Sequence, residues 1–269
     1  DWSSDVCSSD LSYAENMAMF QGGFKLGPQS VSQAVWDAQG KYLKPETSKS
    51  FDAGYRYVGD NLQVSIAAYD VKFNNRLLQY NPCPTNQQQN PGCGNSFHNA
   101  GGVTSKGAEI GVLWKATSWL NWYNSASYNK STYDEDLNWC TTTCVIKQTA
   151  GKQQVDTPKE MLASVLSVKQ GGFSASLQGK YTGRRYYTYT NDQSFAGVTT
   201  FDLGVSYRFS PVGFMKGAKA SLNVTNLTNK RYASNFDSSV FAPDDATGSI
   251  LVFHSSAPRQ VFATVGFDF

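Results

Sequence analysis

The residues whose types and spacing could do chemistry are four cysteines and one basic, aromatic segment. Cys83 and Cys93 lie in one polar stretch of the chain, and Cys140 and Cys144 lie in another. Thiols at such spacings can form disulfides or bind a metal ion, but Cys140 and Cys144 have no second thiol pair or histidine close by to complete a zinc site. A metal site is therefore not expected, and whether the thiols pair depends on the compartment that they face.

The basic, aromatic segment runs from residue 183 to 189 with the sequence Gly-Arg-Arg-Tyr-Tyr-Thr-Tyr. Guanidinium groups bind carboxylates and other anions, and tyrosine rings offer a stacking surface, so the segment could hold an anionic ligand. If one strand runs from 173 to 190, Arg184 and Tyr186 share its polar face and are the preferred ligand residues. Weaker candidates are Arg76, Tyr80, Trp139 and Arg231. The alternative is an interfacial aromatic band with arginines that face lipid headgroups.

Composition excludes several classes of protein. The chain has 269 residues, of which 14% are aromatic and 16% charged, so it can bury apolar surface and is not disordered. No apolar run approaches the roughly 18 residues of a membrane helix, but a membrane β-barrel remains possible because its strands alternate apolar and polar residues. His98 and His254 have no nucleophile motif around them, and no phosphate-binding loop occurs, so neither catalysis nor a cofactor is expected.

The first eleven residues, from Asp1 to Leu11, have no hydrophobic period and contain Ser-Ser-Asp twice. They resemble a one-frame translation of a short-read sequencing adapter, so we expect this segment to be foreign and the natural protein to begin near Ser12. The reading frame would then be open upstream, and the chain would be truncated at its N-terminus. Without the segment, 23 basic and 18 acidic residues remain.

Alternation of apolar and polar residues with period two predicts strands, most clearly between Phe201 and Phe209. The connections between the strands alternate between long and short, as they do in outer-membrane barrels, where extracellular loops are long and periplasmic turns are tight. Aromatic residues near the short turns, such as Tyr207 and Trp122, are typical of an interfacial girdle. Ten strands are predicted, at residues 14–22, 51–58, 61–79, 99–116, 119–133, 158–169, 173–190, 198–209, 218–232 and 258–269.

Four motifs, in order along the chain, resemble those of TonB-dependent outer-membrane receptors. A single motif would be weak evidence, but four with matching spacing are specific, and the resemblance covers the chain from about residue 40 to its end. Asp52 and Ala53 depart from the family's commoner Glu-Leu. The motifs are Leu-Lys-Pro-Glu-x-Ser at 43–48 with Ala-Gly-Tyr-Arg at 53–56, Asn-Ala-Gly at 99–101 with Gly-Ala-Glu at 107–109, Val-Thr-Asn-Leu-Thr-Asn at 224–229 with Tyr232, and the closing strand after Pro258.

The resemblance implies an all-β fold: an antiparallel transmembrane β-barrel, incomplete here, whose last ten or so strands are 12–269. The whole barrel would have about 22 strands and a plugged lumen. It implies uptake of a scarce nutrient, most often a ferric siderophore, across the outer membrane of a Gram-negative cell, energised by the TonB-ExbB-ExbD complex. The plug and the first strands would lie upstream of Ser12. Outer-membrane lipid and lipopolysaccharide would be partners, and nucleic acid would not.

On this interpretation both cysteine pairs lie in extracellular loops, where disulfides persist, and we expect each pair to staple its loop. A passive porin would share the barrel but lack a plug. An outer-membrane phospholipase would need a serine and a histidine together near the rim, which the sequence does not offer. A soluble β-sandwich remains a further alternative, and it would dissolve without detergent.

Overall fold

The structure is a computed structural model that describes residues 6–18, 43–80, 96–99, 101–140, 144–211, 216–236, 243–248 and 253–268. The regular elements in these ranges are all β-strands. They are β1 (Val6–Ala18), β2 (Glu46–Val58), β3 (Leu62–Asn74), β4 (Leu77–Tyr80), β5 (Ser96–Asn99), β6 (Val103–Lys115), β7 (Leu120–Tyr133), β8 (Leu137–Cys140), β9 (Cys144–Lys147), β10 (Glu160–Gln170), β11 (Phe173–Thr182), β12 (Arg185–Tyr186), β13 (Ser194–Phe195), β14 (Val198–Phe209), β15 (Gly217–Thr225), β16 (Ala233–Phe236), β17 (Phe253–Ser255) and β18 (Gln260–Asp268).

No helix in the described part of the chain is long and apolar enough to cross a membrane.

Ten strands form one antiparallel sheet in chain order, β1-β2-β3-β6-β7-β10-β11-β14-β15-β18. Each strand pairs with the next strand of this series, so the sheet is an up-and-down meander whose edges are β1 and β18. The sheet is not closed. The ten antiparallel strands predicted from the alternation of residue types are therefore confirmed, and the open sheet agrees with the incomplete barrel that the family resemblance implies.

Connections of different length separate the two ends of the sheet. At one end, called here the short-turn edge, the strands are joined by residues 59–61, 116–119, 171–172 and 210–216. At the other end, the long-loop edge, the connections are 19–45, 75–102, 134–159, 183–197 and 226–259, and four of them contain a small hairpin of their own: β4-β5, β8-β9, β12-β13 and β16-β17. The predicted alternation of long and short connections is thus confirmed.

Strand register gives the sheet one apolar and one polar face. A single row of paired residues crosses eight strands on the apolar face without a polar side chain. The row is Leu62, Trp114, Trp122, Leu166, Leu177, Leu203, Val224 and Val261. One residue away, on the opposite face, the corresponding row is Lys115, Asn121, Ser167, Ser176, Gly204, Asn223 and Phe262, which is polar apart from its last member.

The apolar face is exposed. Leu162 keeps 48% of its surface accessible, Ile66 46% and Val265 62%, and these residues belong to one continuous face. Soluble monomers rarely expose contiguous apolar patches larger than a few hundred Å². A face of this extent therefore needs an apolar environment, such as the hydrocarbon core of a membrane. The polar face is expected to line the lumen of the closed barrel.

Three strands end earlier than the sequence pattern predicts. The strands expected to reach 79, 190 and 232 end at Asn74, Thr182 and Thr225. In two cases the next residue has a left-handed backbone, Asn75 with φ of 53° and Asn226 with φ of 50°, which an extended strand does not allow. In the third, the backbone N–H of Gly183 still donates to the carbonyl of Glu160 at 2.8 Å, in register with the β10-β11 ladder, and the strand ends after this bond.

β1 begins at Val6, so it includes residues 6–11 of the segment predicted to be foreign. The origin of that segment stays a prediction. Residues 19–22 and Phe269, which were predicted to lie in strands, are outside the described residues.

Candidate ligand-binding site at the long-loop edge

The motif at 43–48 and the motif at 99–101 meet at the base of the long loop 75–102. The backbone N–H of Lys44 donates to Asn99 Oδ1 at 2.8 Å, and Asn99 Nδ2 donates to the carbonyl oxygens of Lys44 at 3.0 Å and Asn75 at 2.8 Å. The Asn99 side chain therefore joins the start of β2, the end of β3 and the end of β5.

Arg76, a predicted ligand residue, is held at the same base. Its Nη1 forms an ion pair with Glu46 Oε1 at 2.5 Å, and its guanidinium lies 4.7 Å from the centroid of the Phe73 ring. Glu46 is buried, with 9% of its surface accessible, and also accepts the backbone N–H of Leu77 at 2.9 Å. A buried carboxylate needs such partners, so Arg76 neutralises Glu46.

Buried aromatic residues pack the loops together above the sheet. Tyr133 and Tyr189 are 2% and 1% exposed, and their rings meet edge to face with centroids 5.9 Å apart. Trp139, another predicted ligand residue, lies with its ring centroid 6.2 Å from that of Tyr189. The Tyr133 hydroxyl accepts the backbone N–H of Val155 at 3.2 Å, and burial raises the pKa of Tyr189. Tyr133 and Tyr189 belong to a buried hydrophobic cluster with Val103, Leu137 and Val155, and Trp139 packs against it.

The basic, aromatic segment is not the end of a long strand. Arg185 Nη1 contacts Asp156 Oδ1 at 3.0 Å, and Arg185 Nη2 donates to the carbonyl of Ala233. Burial raises the pKa of the Asp156 carboxyl, and the positive charge of Arg185 opposes that rise. Arg184 is exposed, and its Nη1 donates to Ser194 Oγ at 3.3 Å.

Tyr186, two residues after Arg184, is half-buried in the two-residue strand β12, and its carbonyl accepts the backbone N–H of Asp156 at 2.8 Å. Because β11 ends before these residues, the face assignment from which Arg184 and Tyr186 were preferred does not extend to them. Their positions at the long-loop edge do not depend on that register. Arg231 is exposed at the same edge, after β15.

The remaining predicted residues lie wholly or partly outside what is described. Cys83 and Cys93 are outside the described residues, and Tyr80 is placed only by its backbone, at the end of β4. Cys140 and Cys144 are directly paired across the β8-β9 hairpin. Paired residues of an antiparallel ladder have Cα atoms about 4.5–5.5 Å apart, within the range that a disulfide spans.

Three of the long loops, 134–159, 183–197 and 226–259, are joined by residues that the sequence analysis missed. Asp192 Oδ2 accepts the backbone N–H of Asp245 at 3.0 Å, and the backbone N–H of Thr190 donates to the carbonyl of Pro243 at 2.9 Å. Lys147 Nζ forms an ion pair with Asp244 Oδ2 at 2.5 Å. No sequence signal could have paired these loops, because their contacts depend on the strand order of the sheet.

The polar face carries a second group of missed residues. Glu109 on β6, Tyr123 on β7 and Lys180 on β11 line a shallow cavity of about 340 Å³. Strand alternation alone could have found them, since each lies on the polar face of a well-patterned strand. Among the described residues, no group of three or more acidic, histidine or cysteine side chains could hold a metal ion.

An antiparallel sheet with an exposed apolar face, a polar face and all its long loops at one edge is a segment of an outer-membrane β-barrel. Residues 11–227 match the family described as TonB dependent receptor-like, beta-barrel. The chain belongs to this family of transport receptors, which confirms the resemblance drawn from the four motifs.

A named relative and two solved structures are similar to this chain, as expected for a member of this family. The chain is 27% identical over 242 residues to the Ferrioxamine B receptor of Salmonella typhimurium, an alignment that covers 87% of this chain and 30% of the relative. Two solved structures share the fold. The siderophore receptor PiuA of Acinetobacter baumannii aligns with a TM-score of 0.68 and 17% identity, over 97% of this chain and 34% of PiuA. The copper transporter OprC aligns with a TM-score of 0.66 and 18% identity, over 100% of this chain and 38% of OprC.

Proposed function

We propose that this chain is part of an outer-membrane receptor of a Gram-negative cell that takes up a ferric siderophore. The observation that carries the proposal is the alignment of 87% of the chain with a receptor named for ferrioxamine B. The chain spans 30% of that relative, so the plug, the contact with TonB and the energising TonB-ExbB-ExbD complex belong to the proposal for the whole protein. The sheet's exposed apolar face supports contact with outer-membrane lipid and lipopolysaccharide.

Within the long-loop edge, we assign ligand contact first to Arg184 and Tyr186. Arg184 is exposed and has only a 3.3 Å hydrogen bond to a serine hydroxyl, so its positive charge is not neutralised by a described carboxylate. Arg76 is neutralised by Glu46, and Trp139 is packed on Tyr189, so both are less able to meet a ligand. An exposed guanidinium favours an anionic chelate.

A passive porin is the alternative function, and the match to a receptor family disfavours it. The two functions differ in their need for energy. An energised receptor requires TonB for uptake at low ligand concentration, whereas a porin passes its solute in cells without TonB.

The test is uptake of radiolabelled ferric ferrioxamine B by cells that lack their own receptors for it and that express the full-length receptor. We expect uptake that disappears in a strain without TonB. Uptake that persists in that strain would establish a passive channel. If the receptor binds several ferric siderophores but takes up none of them, the transport function is rejected.

The variant Arg184→Gln should raise the half-saturating concentration of uptake about tenfold, since hydrogen bonds to charged groups contribute about 1.5–3 kcal/mol. Arg208→Gln, an exposed arginine at the short-turn edge, is the matched control.

A further inference from the structure

The guanidinium group of Arg185 joins three of the long loops. Its Nη1 donates to Asp156 Oδ1 at 3.0 Å, and its Nη2 donates to the carbonyl oxygen of Ala233. The Arg185 side chain is only 14% exposed, so its charge is largely removed from water and needs these partners. Arg185, Asp156 and Ala233 lie in different long loops, which are 183–197, 134–159 and 226–259 respectively.

Asp156 also binds the residue that follows Arg185. Its backbone N–H donates to the carbonyl oxygen of Tyr186 at 2.8 Å, so its carboxylate and its N–H hold two consecutive residues of β12. The backbone of Asp156 is left-handed, with φ of 53°. A left-handed residue with a side chain is strained and persists only where its surroundings fix it, and here β12 supplies both bonds.

Arg185 and the proposed ligand residues lie on opposite faces of β12. Tyr186 is directly paired with Ser194 on β13, and directly paired residues of a ladder share a face. Arg184 Nη1 donates to Ser194 Oγ at 3.3 Å, so its guanidinium reaches that same face. Arg185 lies between Arg184 and Tyr186 in the chain, and its side chain is directed to the other two loops. Holding Arg185 therefore fixes the side from which Arg184 and Tyr186 project.

We propose that Arg185 is a positioning residue for the ligand site. It locks three loops together, so that Arg184 and Tyr186 have one geometry before a ligand arrives. Such preorganisation raises affinity because the loops do not have to be ordered during binding. The inference rests on the proposed function, which takes Arg184 and Tyr186 as ligand contacts, and it assigns part of the affinity to a residue that acts through them.

The test is a double-mutant cycle on the uptake of ferric ferrioxamine B by the full-length receptor. Arg185→Gln should raise the half-saturating concentration about tenfold, as Arg184→Gln does, because a misplaced Arg184 no longer contributes its hydrogen bonds. The double variant should also show a change of about tenfold, whereas two independent residues would give about a hundredfold change. The maximal rate of uptake should be unchanged, since Arg185 has no part in the transport step.

Arg259→Gln is the matched control. Arg259 is exposed at the same edge of the sheet, and its Nη1 donates at 3.4 Å to the carbonyl of Leu227, which belongs to the same loop. The substitution removes an equal charge without separating two loops, so the half-saturating concentration should stay at the wild-type value.

Asp156→Asn is a second variant, and the cycle with Arg184→Gln is repeated with it, so the proposal stays testable if Arg185→Gln does not fold. It keeps the shape of the side chain and removes its charge. The half-saturating concentration should rise by less than in Arg185→Gln, because an amide oxygen still accepts a weaker hydrogen bond.

Hydrogen exchange without a ligand gives an independent measurement. The backbone N–H of Asp156 should exchange faster in Arg185→Gln than in the wild type, and at the wild-type rate in Arg259→Gln. Unchanged exchange, a hundredfold effect in the double variant, or a lower maximal rate at an unchanged half-saturating concentration would each overturn the proposal. If the wild-type receptor takes up no ferric siderophore, the proposed function fails, and the exchange of Asp156 still decides whether Arg185 holds the loops.

Discussion

The side chain of Asn99 is bound to the backbone of Lys44 through both its oxygen and its nitrogen. The Lys44 N–H donates to Oδ1 at 2.8 Å, and Nδ2 donates back to the Lys44 carbonyl at 3.0 Å. The two residues are 55 positions apart in the chain and belong to different sequence motifs. Their contact explains why an asparagine stands before the glycines of the second motif: one amide group serves as donor and acceptor at once.

Asn99→Ala should loosen the start of β2 without unfolding the barrel. The substitution removes the hydrogen bonds to Lys44 and Asn75, and the expected cost is about 1–3 kcal/mol of local stability because backbone groups are left without partners. Hydrogen exchange of the full-length receptor should be faster around residues 44–47. Asn138→Ala, at an exposed position of β8, is the control and should leave exchange unchanged; equal effects of the two changes would contradict the assignment.

Asn226 combines an unusual backbone with a hydrogen-bonded side chain. Its φ is 50°, its Nδ2 donates to the carbonyls of Lys230 at 2.9 Å and Ala257 at 3.0 Å, and its backbone N–H donates to Asp202 Oδ1 at 2.7 Å. The variant Asn226→Gly keeps the left-handed backbone conformation and loses the side-chain hydrogen bonds. The variant Asn226→Ala loses the same hydrogen bonds, and its methyl group also disfavours the left-handed backbone.

The temperature at which the receptor loses the gel mobility of a folded barrel should fall in both Asn226 variants. It should fall further in the alanine variant, by an amount that reflects the roughly 1–2 kcal/mol cost of a left-handed non-glycine residue. A glycine variant as stable as wild type would mean that the side-chain bonds contribute nothing.

Gly107→Ala should destabilise the sheet because no space exists for a methyl group. A Cβ at this position would lie 2.6 Å from the backbone carbonyl oxygen of Tyr128 and would overlap the ring of Tyr69. Forced overpacking of this kind costs about 1–3 kcal/mol. Gly217→Ala, on the same polar face but with 3.6 Å between its Cβ and the nearest atom, Asp268 Oδ2, should be nearly neutral in the same thermal assay. Similar melting of the two variants would disprove the close approach.

Acid should release the contact between residues 187–193 and 243–248. Burial raises the pKa of Asp192, but hydrogen bonds from Thr188, the Asp245 backbone N–H and Thr190 outweigh burial and lower that pKa below its ordinary value near 3.8. A lowered pKa means that ionised Asp192 stabilises the contact above pH 3.8, and that this contribution is lost as the pH falls through the lowered pKa.

Hydrogen exchange at the amide of Asp245, corrected for intrinsic rates, should therefore show less protection below pH 3.8 than at pH 5. In the variant Asp192→Asn, protection should be weak at both pH values and should not change between them. A wild-type profile that is flat over this range would show that the Asp192 carboxylate does not hold the loop.

The cysteines should be oxidised in receptor isolated from the outer membrane. Direct pairing of Cys140 with Cys144 across the β8-β9 hairpin places their Cα atoms within disulfide range, and the extracellular side is oxidising. Non-reducing peptide mapping should give one cross-link between Cys140 and Cys144 and a second between Cys83 and Cys93. Four free thiols would reject both disulfides. A cross-link between a cysteine of one loop and a cysteine of the other would reject the proposed pairing within each loop.

Local sequence by itself determined the strands, their alternating faces and the alternation of long and short connections. These follow from period-two patterning between Phe201 and Phe209 and its equivalents, which depends only on neighbouring residues along the chain. The motifs determined the family for the same reason, since each is a short run of residues.

Tertiary structure alone decided which candidate residues are occupied by other partners. Arg76 meets Glu46, Trp139 meets Tyr189, and Arg185 meets Asp156, and in each case the two residues lie 29 to 50 positions apart in the chain. Only the strand order and register bring such pairs together, because no local pattern encodes a contact between loops. The same register placed Lys106 opposite Lys130 and Lys49 opposite Lys72, and so assembled on one face a cluster of charge that is scattered along the sequence.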